Sequence, residues 1–389
     1  MRTVLVALAS AFAAVLAVLG IVAFGGWFAG SSRVVVVPER APPGLATPVR
    51  STHLLAGTGI APSALYAARS PGVVTIYAEF GSSEAQGWGF VVTRTGLILT
   101  SSHVITNAGE RTPGSAATPA SQVYVEFADR DRVQAKIVGW DVFADVGVIR
   151  VDPRTHPLDP VPLGRSSRVL VGQPIAVIGS PFGNEDSLDL GVVSGIRRSI
   201  DSLTSSFRLA DAIQIDAPIT HGDSGGPVFD ARGRVIGIAA QIRTDTGQAE
   251  GVGFAVPIDS ARRSLVQLVT TGRVAYAFAG VRTTDVTPSI ARALGLPVSR
   301  GALIVRVDPG SAAAHAGLRE GSRASKVDGV RVRRGGDVVL AVGRRRIATG
   351  EDLARIVGED LAPGQRVTFT ILRGQRRLQV PVRLGSRTP

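Results

Sequence analysis

The sequence predicts a mainly β protein: two antiparallel β-barrels, then a small α+β domain, all preceded by one apolar N-terminal helix. Three observations carry this prediction. Glycine (46) and proline (23) are frequent among the 389 residues and aromatics make up only 5%; the apolar content falls in short Val, Ile, Leu and Ala runs that favour strands and turns over long helices. Short strand-like segments come in two successive series before Gly272, with no long helix between them. After Gly272 strands alternate with short helical stretches, as in a compact domain of ~100 residues.

At the N-terminus no charge occurs from Thr3 to Ser32. A membrane-spanning helix needs ~20 apolar residues and a secretory core only ~7 to 15, so residues 1–30 read as a membrane anchor or an uncleaved signal. Arg2 is a positive-inside cue that places the rest of the chain on the extracytoplasmic side of a cell membrane crossed once. Residues 31–62, rich in Pro, Gly, Ser and Thr, read as a linker. "PSALYAARS" is a short helix. "GVVTIYAEF", "GWGFVVT", "GLILTSSHVI", "QVYVEFA", "RVQAKIVGW" and "DVGVIRV" form the first strand series, with a hairpin turn at Thr95-Gly96 and a loose insertion over Asn107–Ser121. "PIAVIGS", "LGVVSGIRRSI", "DAIQIDAP", "GPVFDARGRVIGIAAQI" and "GVGFAVPI" form the second. "IDSARRSLVQLVTTG" closes this region, 63–272, as a helix with Ala261, Leu265, Leu268 and Val269 on one face. Over 273–385 follow a strand, turn and short helix, the hairpin "GGDVVLAVGRRRI" extended by "ASKVDGVRVRRG", the amphipathic helix "GEDLARIVGE" and a final hairpin.

Composition excludes several chemistries. With no cysteine, disulfides, thiol catalysis and thiolate metal sites are ruled out. The net charge of +12 is carried almost wholly by arginine, since only Lys136 and Lys326 are lysines. The arginines are spread along the chain and not interleaved with aromatics, so no nucleic-acid partner is expected. No ligand-spaced cluster of histidines and acids, no Walker sequence and no dinucleotide fingerprint occurs, so neither metal nor cofactor is expected.

One stretch, "ITHGDSGGPVF", sets a serine among glycines that permit positive φ and converging backbone N–H groups. Serine hydrolysis needs a base, a carboxylate to orient that base, and two donors for the oxyanion. Ser224 is the candidate nucleophile, and the amides of Gly222 and Ser224 are the candidate donors. Among five histidines, His103 ends an apolar strand within reach of a cleft. His221 is too near Ser224 along a tight loop, His53 is in the linker, His156 in a proline-rich connection and His315 in the last domain. Asp145, at the start of "DVGVIRV", is the candidate orienting acid, with Asp141 and Asp152 as neighbours; the chain order His103, Asp145, Ser224 puts two members on the first barrel and one on the second.

These motifs resemble chymotrypsin-fold serine proteases and, among them, the HtrA/DegP-like proteases that join such a domain to PDZ domains. The resemblance spans about 63–385: "LTSSHVI" is similar to the family's histidine motif, "DVFADVGVIRV" to its aspartate motif and "IQIDAPITHGDSGGPVF" to its serine motif, with further similarity at "VIGSPFG" and "GVGFAVPID". It departs at Asp223, where asparagine is common, and at His221, where proline is usual. The resemblance implies a double-barrel protease domain over 63–272 and a PDZ domain over 273–385. It implies unfolded or damaged polypeptides as substrates, a homotrimer, and Ile219 and Thr220 lining a pocket for small or medium apolar side chains. Phe278, Ala279, Gly280 and Val281 stand where the PDZ loop receives a peptide C-terminus.

Overall fold

The computed structural model describes residues 59–109, 116–179, 187–205, 207–217, 219, 223–240 and 252–387. The expected anchor over 1–30 lies outside them. Among the described residues no helix is long and apolar enough to cross a membrane.

A short helix, α1 (Pro62–Arg69), leads into the first barrel: β1 (Val73–Phe80), β2 (Ser83–Val91), β3 (Leu97–Thr100), β4 (Gln122–Glu126), β5 (Arg132–Asp141) and β6 (Val146–Val151), closed in the order β1-β2-β3-β6-β5-β4. The second barrel consists of β7 (Pro174–Gly179), β8 (Ser187–Asp201), β9 (Arg208–Ile215), β10 (Pro227–Asp230), β11 (Val235–Ala240) and β12 (Gly253–Pro257), closed in the order β10-β11-β12-β9-β8-β7. The β2–β3 turn depends on Gly96: its φ is +92°, and a Cβ there would come within 2.1 Å of the Val151 carbonyl oxygen.

Strand side chains alternate between faces, and here both faces are buried. Ile98, Ile149 and Val151 fill the first barrel, and Ile175, Val177, Val228 and Ala239 the second. One position out of phase on the same strands, Leu97, Leu99, Val146 and Val148 meet Ala176, Ile178, Phe229 and Ile238 in a core that the two barrels share. Such strands read as continuous apolar runs, as "LILT" and "VIGIAA" do, because neither face meets water.

His103 sits one step beyond the expected strand end. It lies in a single helical turn, α2 (Ser102–Ile105), which is too short to leave a periodic signature in the sequence. The closing helix, α3 (Ile258–Thr271), ends at Gly272 in a left-handed conformation. Its buried face carries Ala261 and Leu268 as expected, but Ser260 and Ser264 complete it while Val269 is 42% exposed. The hydroxyl of Ser264 is used there: it donates to the buried Asp141 carboxylate at 2.6 Å.

In the last domain, strands Val281–Asp285, Ala302–Val307, Val338–Val342, Arg366–Arg373 and Arg376–Arg383 form one sheet over helix Gly350–Asp360. Ile304, Val339, Leu353, Ile356 and Phe369 are in its core. The helix opens on a capping box, Thr349 Oγ1 accepting from Asp352 N–H while the Asp352 carboxylate accepts from Thr349 N–H. The segment expected to lengthen a hairpin folds as a separate two-stranded hairpin, Arg323–Val327 with Val330–Arg334.

Candidate active site

The serine turn is built by the second barrel and gripped by the first. The Ser224 carbonyl accepts the Trp88 N–H of β2 at 2.8 Å, while Gly225 N–H donates to Ala239 O at 2.9 Å on β11. Gly225 has φ +90°, and a Cβ on it would fall 2.1 Å from the Trp88 carbonyl oxygen, so no other residue fits between the barrels. That carbonyl also accepts the Thr100 hydroxyl at 2.6 Å. Thr100 ends β3, and three residues later comes His103, so the backbone of the candidate nucleophile and the candidate base are anchored to the same corner of the first barrel.

Asp145 reaches that corner from the start of β6 with φ +52°, a left-handed conformation that aspartate tolerates better than bulky residues. Its buried carboxylate takes three hydrogen bonds. Oδ1 accepts the His103 N–H at 3.1 Å and the Ser102 hydroxyl at 2.7 Å, and Oδ2 faces His103 Nδ1 at 2.8 Å. With Nδ1 held, Nε2 is left as the ring's reactive nitrogen. Burial disfavours the charged imidazole, but the Asp145 charge and hydrogen bond outweigh it, and the His103 pKa is raised above its usual value. The Ser224 hydroxyl is buried and has no hydrogen bond to any described residue, His103 Nε2 included.

The other two acids are spoken for elsewhere. Asp152 is exposed and paired with Arg154 at 2.7 Å, which with the Arg154 N–H holds its carboxyl down to about 2. Asp141 is buried and accepts Tyr276 Oη at 2.6 Å, Ser264 Oγ at 2.6 Å and the Phe143 N–H at 3.0 Å. Next to the serine turn, Asp223 lies over Gly179, and Asp189 of β8 is pushed up in pKa by burial and by the Asp223 charge.

Of the expected pocket and oxyanion residues, Thr220 and Gly222 lie outside the described residues. Ile219 is 8% exposed and packs among the second barrel's interior side chains. Phe278, Ala279, Gly280 and Val281 come together around an apolar cavity of about 60 Å³ whose other wall includes Leu353 and Val357. Gly280 has φ +77°, and Ser311 fills the space where a Cβ would stand.

A cluster that sequence reasoning missed adjoins this cavity. The Arg387 guanidinium lies 4.5 Å from the Phe207 ring centre and within 6 Å of those of Phe143, Tyr276 and Phe278. Phe143 packs edge-on against both Phe207 and Tyr276. Burial lowers the Arg387 pKa. These residues come from four separate stretches of chain, and no local pattern marks them as neighbours.

Fold and site are those of a trypsin-like peptidase domain followed by a PDZ domain. The family described as Trypsin-like peptidase domain matches residues 87–238, and the PDZ domain family matches 277–384. The chain is 35% identical over 301 residues to Protease Do-like 1, chloroplastic, of Arabidopsis thaliana, covering 77% of this chain and 64% of the relative. It is 34% identical over 311 residues to a probable periplasmic serine endoprotease DegP-like of Hahella chejuensis, covering 79% and 59%. It is 33% identical over 305 residues to the putative serine protease HhoA of Synechocystis, covering 76% and 70%. It thus spans about three-fifths of the length of the first two. The solved HtrA-type protease AlgW with tripeptide superposes with a TM-score of 0.69 at 27% identity, covering 84% of this chain and 97% of that one. The chain belongs to the HtrA/DegP-like family of serine proteases.

Proposed function

We propose that this chain is an extracytoplasmic serine endopeptidase acting on unfolded or damaged polypeptides. The observation that carries the reading is the 2.8 Å contact between His103 Nδ1 and Asp145 beside the gripped Ser224 turn. Ser224 Oγ attacks the scissile carbonyl; His103 Nε2 takes its proton and returns it to the leaving amine; Asp145 keeps the ring in the right tautomer and stabilises the imidazolium. The amides of Gly222 and Ser224 hold the oxyanion. Ile219 and Thr220 line a pocket for small or medium apolar side chains. The protease domain occupies 63–272, and the PDZ domain over 273–385 receives peptide C-termini at Phe278–Val281, with the Gly350–Asp360 helix as the groove's second wall.

Residues 1–30 anchor the chain as a single-pass membrane protein, and three copies associate. Support for association comes from the aliphatics left open on the second barrel, Leu170 at 68% and Val171 at 60% exposed. Purified wild type digests casein, and Ser224→Ala loses at least ~10⁴-fold in rate; equal digestion by both forms would remove the assignment.

A second reading, a latent protease scaffold that binds peptides without cutting them, is favoured by one observation, that no described residue, His103 included, hydrogen-bonds the Ser224 hydroxyl. Fluorophosphonate labelling separates the two. A labelled Ser224 identifies a working site, and a chain that stays unlabelled with casein and peptide present is a scaffold.

A further inference from the structure

On the outer side of the second barrel lies a cavity of about 790 Å³ lined by Arg165, Arg168, Arg232, Arg234, Arg262 and Asp230, among others, none of them a member of the candidate triad. It forms where three parts of the chain converge: the connection after Gly164, the β10–β11 turn, and α3. Backbone bonds fix the frame. Gly164 N–H donates to Val235 O at 2.7 Å, and Val235 N–H donates to Pro162 O at 2.9 Å. Asp259 at the start of α3 accepts the Ser167 N–H at 2.9 Å.

The positive charge in this cavity is not neutralised from within. Asp230 is saturated: Oδ1 accepts the N–H groups of Arg232 and Arg234, and Oδ2 accepts the Arg234 guanidinium through Nε at 2.9 Å and through its terminal nitrogen at 2.6 Å. Arg262 is fixed at both ends, to Asp259 Oδ1 at 3.0 Å and to Gly164 O at 2.9 Å. Arg165, Arg168 and Arg232 form no ion pair with any described residue. Five guanidinium groups therefore line one concavity with a single lining carboxylate, already spent. Like charges gathered in a concave wall raise the local potential and attract multivalent anions. Guanidinium forks match phosphate oxygens two at a time, which an ammonium cannot do.

We propose that this cavity is a binding site for a multiply charged phosphate group. Arg165, Arg168 and Arg232 grip the oxygens, and the tethered Arg234 and Arg262 form the fixed floor. The phosphate comes either from an anionic lipid headgroup or from a soluble phosphate compound; the recognition chemistry is common to both.

The test uses the full chain in non-ionic detergent, titrated calorimetrically with inorganic pyrophosphate, with dihexanoyl-phosphatidic acid, whose phosphate monoester can carry two charges, and with dihexanoyl-phosphatidylcholine. The combined variant Arg165→Ala, Arg168→Ala, Arg232→Ala alters exposed side chains outside the triad, so its fluorophosphonate labelling stays at the wild-type level and reports an intact fold. Wild type binds at least one anionic probe, the alanine variant binds it at least tenfold more weakly, and the matching triple lysine variant recovers part of the loss. Tighter binding of phosphatidic acid than of pyrophosphate identifies a lipid source; tighter binding of pyrophosphate identifies a soluble one. The proposal fails if wild type binds neither anionic probe, or if the alanine variant binds them as tightly as wild type does.

Discussion

Two buried aspartates, Asp141 and Asp145, lie four residues apart at the β5–β6 turn and serve different ends of the molecule. Asp145 turns towards the seam of the barrels, where its carboxylate holds the His103 ring and backbone and the Ser102 hydroxyl. Asp141 turns towards α3 and the start of the PDZ domain, where it holds the Ser264 and Tyr276 hydroxyls. Both satisfy the rule that a buried carboxylate must be hydrogen-bonded. Their partners set their tasks apart: one partner can accept a proton during a reaction, whereas hydroxyls at a domain junction only hold position.

The comparison breaks if either aspartate does the other's work. The largest effect expected is on rate. Asp145→Asn loses about 10⁴-fold in kcat because the ring can take the wrong tautomer, with thermal unfolding moved far less. The wild-type kcat/KM rises with pH through the raised His103 pKa, since the base must be neutral; in Asp145→Asn this limb moves to lower pH. For stability the sign is opposite. A histidine whose pKa is raised by folding contributes fully below its unfolded value of about 6.5, and the contribution fades as pH rises through the folded one.

Asp141→Ala is expected to cost about 4 kcal/mol in stability, by stranding two buried hydroxyls and the Phe143 N–H, while the protein that remains folded still labels with fluorophosphonate. Denaturant unfolding beside active-site labelling checks both halves. A third change sharpens the junction's role. Glu359, on the PDZ helix facing Arg263 and Asp211, is pushed up to about 7, chiefly by burial. Its folded pKa exceeds its unfolded one, so the folded state loses stability as pH rises from about 4.5 to 7. Glu359→Gln should remove that slope and leave the variant about 3 kcal/mol more stable than wild type above pH 7, read as Tm across a pH series. The smallest effect is at the aromatic cluster: Arg387→Ala should cost about 1 kcal/mol through lost ring contacts, measured in the same unfolding assay.

Much of this was legible in the sequence because it is local. Strand runs, turn glycines and the helix over Gly350–Asp360 all announce themselves within a few residues of one another. The order His103, Asp145, Ser224, with gaps of 42 and 79 residues, points to Asp145 over its neighbours Asp141 and Asp152, and the partners of the three acids set them apart. On α3 the pattern favours Val269 over Ser264 as a core position, because hydrophobicity alone cannot reveal that an aspartate lies beneath the serine. The Arg387 cluster and the arginine cavity are assembled from distant stretches of chain. Neither has a period or a spacing to read.

The bond between Trp88 N–H and the Ser224 carbonyl makes the candidate nucleophile mechanically dependent on the barrel that does not carry it. Sliding one barrel against the other by a fraction of an ångström would loosen that bond before either barrel began to melt. Under the proposed mechanism hydrolysis becomes a gauge of alignment: under heat or pressure, turnover should cease while the spectroscopic signatures of both sheets persist.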